Sequence, residues 1–174
     1  MRHAIIFYLI ITTVVVHAQK EKTLLVSSPD GHIIVTVEGG TKLEWSVKHK
    51  GDEVISPSAI GLQLEGGEVL GDNAKVVSSK MEKVKKEITP INYKKSVIPD
   101  EYNQLTVRYK GDFGVLFRAY NDGVAYRIFT SRKEELTIKN EVVNFNFSED
   151  RHAFIPFVRD LRGNEIYINS FEAL

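Results

Sequence analysis

Cysteine is absent from all 174 residues. That excludes a disulfide scaffold, a thiol nucleophile, a Cys-held iron–sulfur cluster and a Cys-ligated zinc. Net charge is absent too, since 23 Lys and Arg balance 23 Asp and Glu. A chain so balanced carries no whole-domain electrostatic footprint for nucleic acid, and no nucleic-acid partner is expected. Length is also in short supply. The chain suits one domain of roughly 100–200 residues and falls short of the about 250 that a (β/α)₈ barrel needs. Catalytic and phosphate-binding signatures are missing as well. No G-x-S-x-G elbow, G-x-x-x-x-G-K-[ST] loop or G-x-G-x-x-G loop occurs. His3, His17, His32, His49 and His152 lack the close spacing that presents two ligands to a zinc ion.

Long apolar runs are nearly absent, and the one candidate is terminal. Arg2 and His3 precede the largely apolar run Ala4 to Val16, and Val16-His17-Ala18 then ends on a small residue. The run is too short for a spanning helix of about 20 residues. A basic start, an apolar middle and a small-residue end read as a secretory signal peptide over residues 1–18. The expectation is therefore an exported domain over residues 19–174, periplasmic or secreted after cleavage near Ala18, with no stable membrane span.

What remains has the period of β-structure. His32 to Glu38 is rich in β-branched residues, and Leu43 to His49 alternates apolar with polar. The Gly39-Gly40 pair between them reads as a hairpin turn, because glycine takes positive φ freely. Further short runs are Ile60 to Leu64, Leu105 to Tyr109, Val115 to Ala119, Ala125 to Phe129, Leu136 to Ile138 and Val142 to Phe147. Turn residues separate them, among them Gly111-Asp112 and Asn121-Asp122-Gly123. Many short strands with frequent turns predict an all-β, antiparallel β-sandwich. Ser78 to Glu87 holds only Met81 and Val84 as apolar positions. It reads as a charged, exposed strand or connector whose lysines blunt an edge, in preference to a phosphate-binding patch.

Asp30, Asp122, Glu149 and Asp150 all fall in apparent turns, where such side chains serve the backbone, so none stands out as a catalytic acid. Asn146-Phe147-Ser148 matches the N-glycosylation pattern but reads as a strand end. Trp45, Tyr93, Tyr102 and Tyr120 are candidates to stack on sugar rings, with core packing as the competing role. Trp45 shares a strand face with Leu43 and Val47, which places it in the core. Arg118 and Arg127 either pair with carboxylates or face solvent, and solvent is the favoured reading.

One stretch is more specific. Leu116-Phe117-Arg118-Ala119-Tyr120-Asn121-Asp122-Gly123-Val124-Ala125-Tyr126-Arg127 resembles the signature of the N-terminal domain of glycoside hydrolase family 97, which includes bacterial periplasmic α-glucosidases and α-galactosidases of polysaccharide-utilisation systems. Ser28-Pro29-Asp30-Gly31 resembles the family's opening. Ser56-Pro57-Ser58-Ala59-Ile60-Gly61-Leu62 resembles its S-P-x-G-L segment with two extra residues. Asp100-Glu101-Tyr102-Asn103-Gln104-Leu105-Thr106-Val107 resembles its Y-N-E-L-x-V segment, with Gln104 in place of the usual acid.

The resemblance implies a galactose-mutarotase-like super-sandwich, incomplete at Leu174, that would frame the active site of a following catalytic barrel. It implies a carbohydrate partner, an α-glucoside or α-galactoside, and no catalytic residue within this chain. It also implies calcium as the cofactor of the full-length family. Asn169-Ser170-Phe171-Glu172-Ala173-Leu174 resembles the segment that carries one glutamate ligand, making Glu172 the metal candidate. One carboxylate cannot hold calcium, which takes about 6–8 oxygens. Two other readings stand beside this one: a stand-alone periplasmic carbohydrate-binding sandwich and an inactive truncated gene product. An incomplete sandwich exposes a sheet edge and apolar surface. The isolated chain is accordingly expected to aggregate or to melt with weak cooperativity, and a sharp two-state melt of monomer would overturn that expectation.

Overall fold

The computed structural model describes residues 23–91, 93–150, 152–158 and 169–173, with 155–158 and 169–173 described by their strand pairing alone. The candidate signal peptide lies outside the described residues. The strands in chain order are β1 (Thr23–Ser27), β2 (Ile33–Glu38), β3 (Glu44–His49), β4 (Asp52–Leu64), β5 (Val69–Asn73), β6 (Val76–Ile88), β7 (Ile98–Tyr109), β8 (Phe113–Ala119), β9 (Val124–Thr130), β10 (Ile138–Val143), β11 (Phe154–Val158) and β12 (Asn169–Ala173). They form one sheet in the order β1-β2-β3-β4-β10, with β5 also beside β4, a second sheet in the order β6-β7-β8-β9, and a separate β11-β12 pair. Pairing within them is antiparallel throughout. The all-β sandwich follows directly from the period-2 pattern.

The alternation decides which face is buried. In β2, Ile33, Val35 and Val37 are buried while Ile34 and Glu38 are exposed. In β8, Phe113, Val115, Phe117 and Ala119 point inward. The two inner faces meet where β1 packs on β7 and β8, and β2 on β8. Trp45 of β3 continues the seam. Its ring lies 5.9 Å from Phe117 and 5.5 Å from Tyr126. The sequence placed Trp45 in the core, and there it sits, together with Leu43 and Val47.

Several elements differ from the sequence reading. The β2–β3 hairpin forms, but Glu38 pairs with Glu44, so its loop is longer than two glycines. Gly39 is required for close approach, since a Cβ there would lie 2.3 Å from the Ala74 carbonyl oxygen, and of this pair Gly40 alone has positive φ. The two expected runs Leu136 to Ile138 and Val142 to Phe147 give one strand, β10, with Asn146 forming an isolated bridge to Ser56 beyond it. Strand β4 runs far upstream of Ile60 and carries Pro57 in its interior. Proline is tolerated because the register against β3 shifts there: Trp45 opposes Ser58 and Val47 opposes Ile55.

The charged segment is an edge strand. Among the described residues β6 pairs with β7 alone, from Val76 to Ile88, and its lysines are solvent-facing, as an unpaired edge requires. Asn146 is likewise a strand-end residue. Its Nδ2 donates to the Pro57 carbonyl at 2.7 Å and its backbone N–H to Ser58 Oγ at 2.9 Å.

Gly114 marks the tightest point of the second sheet. A Cβ on it would lie 2.5 Å from the Val107 carbonyl oxygen and would also strike the Phe129 ring. Arg108 covers the same ring at 5.2 Å. Gly114→Ala should cost about 1–3 kcal/mol of stability through overpacking, read as a lowered urea midpoint at unchanged slope; an unchanged midpoint would contradict this packing.

Candidate functional site

Three of the quoted motifs converge on one end of the sandwich. Ser28-Pro29-Asp30-Gly31 forms a turn closed by Gly31 N–H donating to the Ser28 carbonyl at 2.9 Å. Each residue type suits its place: proline fixes φ at the second position, and glycine accepts the positive φ at the fourth. Ser28 is buried, and its Oγ accepts from Ile33 N–H at 3.0 Å while donating to Asp30 Oδ1. Asp30 Oδ1 also accepts from His32 N–H at 3.0 Å, and Oδ2 lies 3.1 Å from His32 Nδ1.

This turn is fastened to the second sheet by two asparagines. Asn121, in the β8–β9 turn, accepts from Asp30 N–H at 3.0 Å through Oδ1. Asn103 of β7 donates from Nδ2 to the Ser27 carbonyl at 2.7 Å. The β8–β9 turn itself closes by Tyr120 N–H donating to the Gly123 carbonyl at 2.8 Å. Its Asn, Asp and Gly do not use the left-handed backbone region that their residue types suggested. Three separated sequence motifs therefore meet as a clasp between the sheets.

On the outer face of the second sheet a further row forms. Lys80 Nζ donates to Glu82 Oε1 at 2.8 Å, and Gln104 Nε2 donates to Glu82 Oε2 at 3.3 Å. Arg118 Nε donates to Gln104 Oε1 at 3.0 Å. The Arg118 guanidinium stands 4.4 Å over the Tyr102 ring, which lies 5.0 Å from Tyr120. Gln104, where the family resemblance has an acid, thus joins Glu82 to Arg118. Arg118 corrects the sequence reading, because among the described residues it neither pairs with a carboxylate nor simply faces solvent. Register explains it: Gln104 opposes Arg118 directly across β7 and β8.

The sugar-stacking candidates separate. Tyr102 is only 3% exposed beneath Arg118, and Trp45 is core, so neither offers a ring face. Tyr120 is half-buried against Tyr102, and Tyr93 is 62% exposed. Asp122 lies in the β8–β9 turn, and Glu149 lies in a bend beside Asp150. Asp30 is occupied by its own turn. Burial holds the Tyr109 phenol above its usual titration range, and its hydroxyl has no partner among the described residues. Burial, with the Glu141 charge second, raises Tyr126 too.

Among the described residues no group of three His, Asp or Glu could hold a metal ion, and no helix is long and apolar enough to cross a membrane. Glu172 lies in β12 opposite Ile155, with its side chain outside the described residues. The polar groups that are brought together fasten sheets and turns.

Hydrogen bonds from Ser28 and the His32 backbone hold the Asp30 carboxyl below its ordinary value of 3.8. Its contribution to stability is therefore present above that value and is lost as pH falls through the lowered one. Thermal melts of wild type and Asp30→Asn should differ most near about pH 7 and converge toward about pH 2. A difference independent of pH would contradict an ionised role.

The comparisons agree with this architecture. The model of the glycosyl-hydrolase 97 N-terminal family matches residues 26–173. A retaining alpha-galactosidase of Bacteroides thetaiotaomicron is 36% identical over 166 residues, which are 94% of this chain and 25% of that protein. A glycoside hydrolase family 97 enzyme from Pseudoalteromonas sp. strain K8, solved with acarbose, superposes with a TM-score of 0.71 at 20% identity, over 87% of this chain and 24% of that one. A beta-arabinopyranosidase superposes at 0.70 and 23% identity, over 86% of this chain and 26% of that one. The chain spans about a quarter of the length of each of these relatives. With the family model covering nearly all of the described sandwich, the chain belongs to the glycosyl-hydrolase 97 N-terminal family.

Proposed function

We propose that this chain is the non-catalytic N-terminal sandwich of a family 97 glycoside hydrolase, framing a carbohydrate-binding active site that a catalytic barrel completes. One observation carries the reading. The N-terminal family model fills residues 26–173, yet the chain covers only 25% of the retaining alpha-galactosidase it matches. The motif side chains Ser28, Asn103, Gln104, Arg118 and Asn121 support it, because they are engaged in holding turns and sheets. Substrate would be an α-galactoside or α-glucoside. Residues 1–18 would direct export to the periplasm or the medium and then be removed.

Calcium belongs to this proposal only in the longer protein. The described residues do not by themselves make a site of about 6–8 oxygens. Glu172 would contribute one carboxylate, with the remaining ligands coming from the barrel side.

The purified chain should hydrolyse neither an aryl α-galactoside nor an aryl α-glucoside, and turnover of either would overturn the non-catalytic reading. Exchanging the chain for the matched quarter of the alpha-galactosidase relative should give an active enzyme. In that chimera Glu172→Gln should raise the calcium concentration needed for half-maximal activity by about ten-fold. An unchanged calcium requirement would remove Glu172 from the ligand set.

A further inference from the structure

The chain is neutral as a whole, but the outer face of its second sheet is not. Register sets the pattern there. In one cross-strand row Arg118 stands between Gln104 and Ala125, and in the next Leu116 opposes Arg127. The acid on the first row is Glu82, and Lys80 already pairs with it at 2.8 Å. Arg118 and Arg127 have no ion pair among the described residues. They are diagonal neighbours, because Leu116 lies two residues before Arg118 on β8. Such positions are about 7–8 Å apart, within reach of long side chains. Two like charges so placed repel until an anion joins them.

The two arginines differ in a useful way. Arg118 is set in advance: its Nε donates to Gln104 Oε1 at 3.0 Å, and its guanidinium stands 4.4 Å over the Tyr102 ring. Neither of its Nη groups has a hydrogen-bond partner among the described residues. Directly opposite, Ala125 is small and exposed, which leaves room on the β9 side of that guanidinium. Arg127 is exposed and free to move toward a ligand in that room. Leu116, half-buried beside both, gives the space an apolar floor.

We propose that Arg118 and Arg127 bind a carboxylate of an acidic oligosaccharide, a glycan of uronic acid residues, lying across the outer face of β8 and β9. A guanidinium fork matches a planar carboxylate with two parallel hydrogen bonds. The fixed plane of Arg118 lowers the ordering cost of binding. A sugar ring can rest its C–H face on Leu116 while its carboxylate reaches the arginines. The choice of a sugar as carrier of the carboxylate rests on the proposed function, whereas the anion site rests on register and geometry alone.

Calorimetry on the full chain tests this with three probes: a trisaccharide of galacturonic acid, the neutral trisaccharide maltotriose and a triglutamate peptide. The acidic trisaccharide should bind, and added salt should weaken it. Arg127→Ala should weaken it about ten-fold. Arg127→Lys should restore only part of that loss, since it returns the charge without the fork. Ala125→Glu places an acid opposite Arg118; it should abolish binding while the melting temperature stays at or above that of wild type. Absence of binding by the acidic trisaccharide would overturn the proposal, as would equal binding of maltotriose. Equal or tighter binding of triglutamate would also overturn it, and would make an acidic protein segment the occupant. An inactive chimera leaves these titrations standing, and failed titrations leave an active chimera standing, so the two readings fail separately.

Discussion

Everything in this molecule depends on one constraint: two sheets must bury their inward side chains against each other. Trp45, Phe117 and Tyr126 join β3, β8 and β9 at the middle of that contact. Val35, Val37, Val107 and Val115 extend it across both sheets. Sandwich cores are stabilised by apolar area, which is non-directional. Direction comes from the polar ends, where the Ser28–Gly31 turn is tied to Asn103 and Asn121. These bonds are exposed and individually modest, at about 1 kcal/mol each. They set register between sheets more than they add stability.

This division changes what the family signature means physically. Arg118, Tyr120 and Asn121 stand together in sequence because a hairpin passes its outer-face residues to Tyr102 and Gln104 and its turn to Asp30. No catalytic carboxylate is needed to account for them. In a domain whose longer relatives are glycosidases, a polar residue fixed in a hairpin is as easily part of the frame as part of the chemistry, and the partners of Arg118 and Asn121 are Gln104 and the Asp30 amide.

Much of the fold was legible from the residues. The alternation in Ile33–Val37 and Leu43–Val47 marks strands and their buried faces, and the lysines of β6 mark an edge. Short strands escaped because they carry too few periods; β1 and β5 are five residues each. The reach of β4 escaped because Pro57 breaks the pattern, and only the register shift against β3 makes proline acceptable there. Of the site, Asp30 and its turn were legible from residue type. Arg118 and Asn103 were not, because their partners lie on other strands and are set by register, which one sequence does not display. The burial of Tyr102 was hidden for the same reason.

The central claim is that the motif residues hold the sheets in register and do no chemistry. The most direct measurement is a pair of readings on the chimeric alpha-galactosidase bearing this chain, with Asn103→Ala and Asn121→Ala combined. The account predicts a lower melting temperature, corresponding to about 1–3 kcal/mol, with kcat per folded enzyme unchanged. A fall in kcat at an unchanged melting temperature would contradict it.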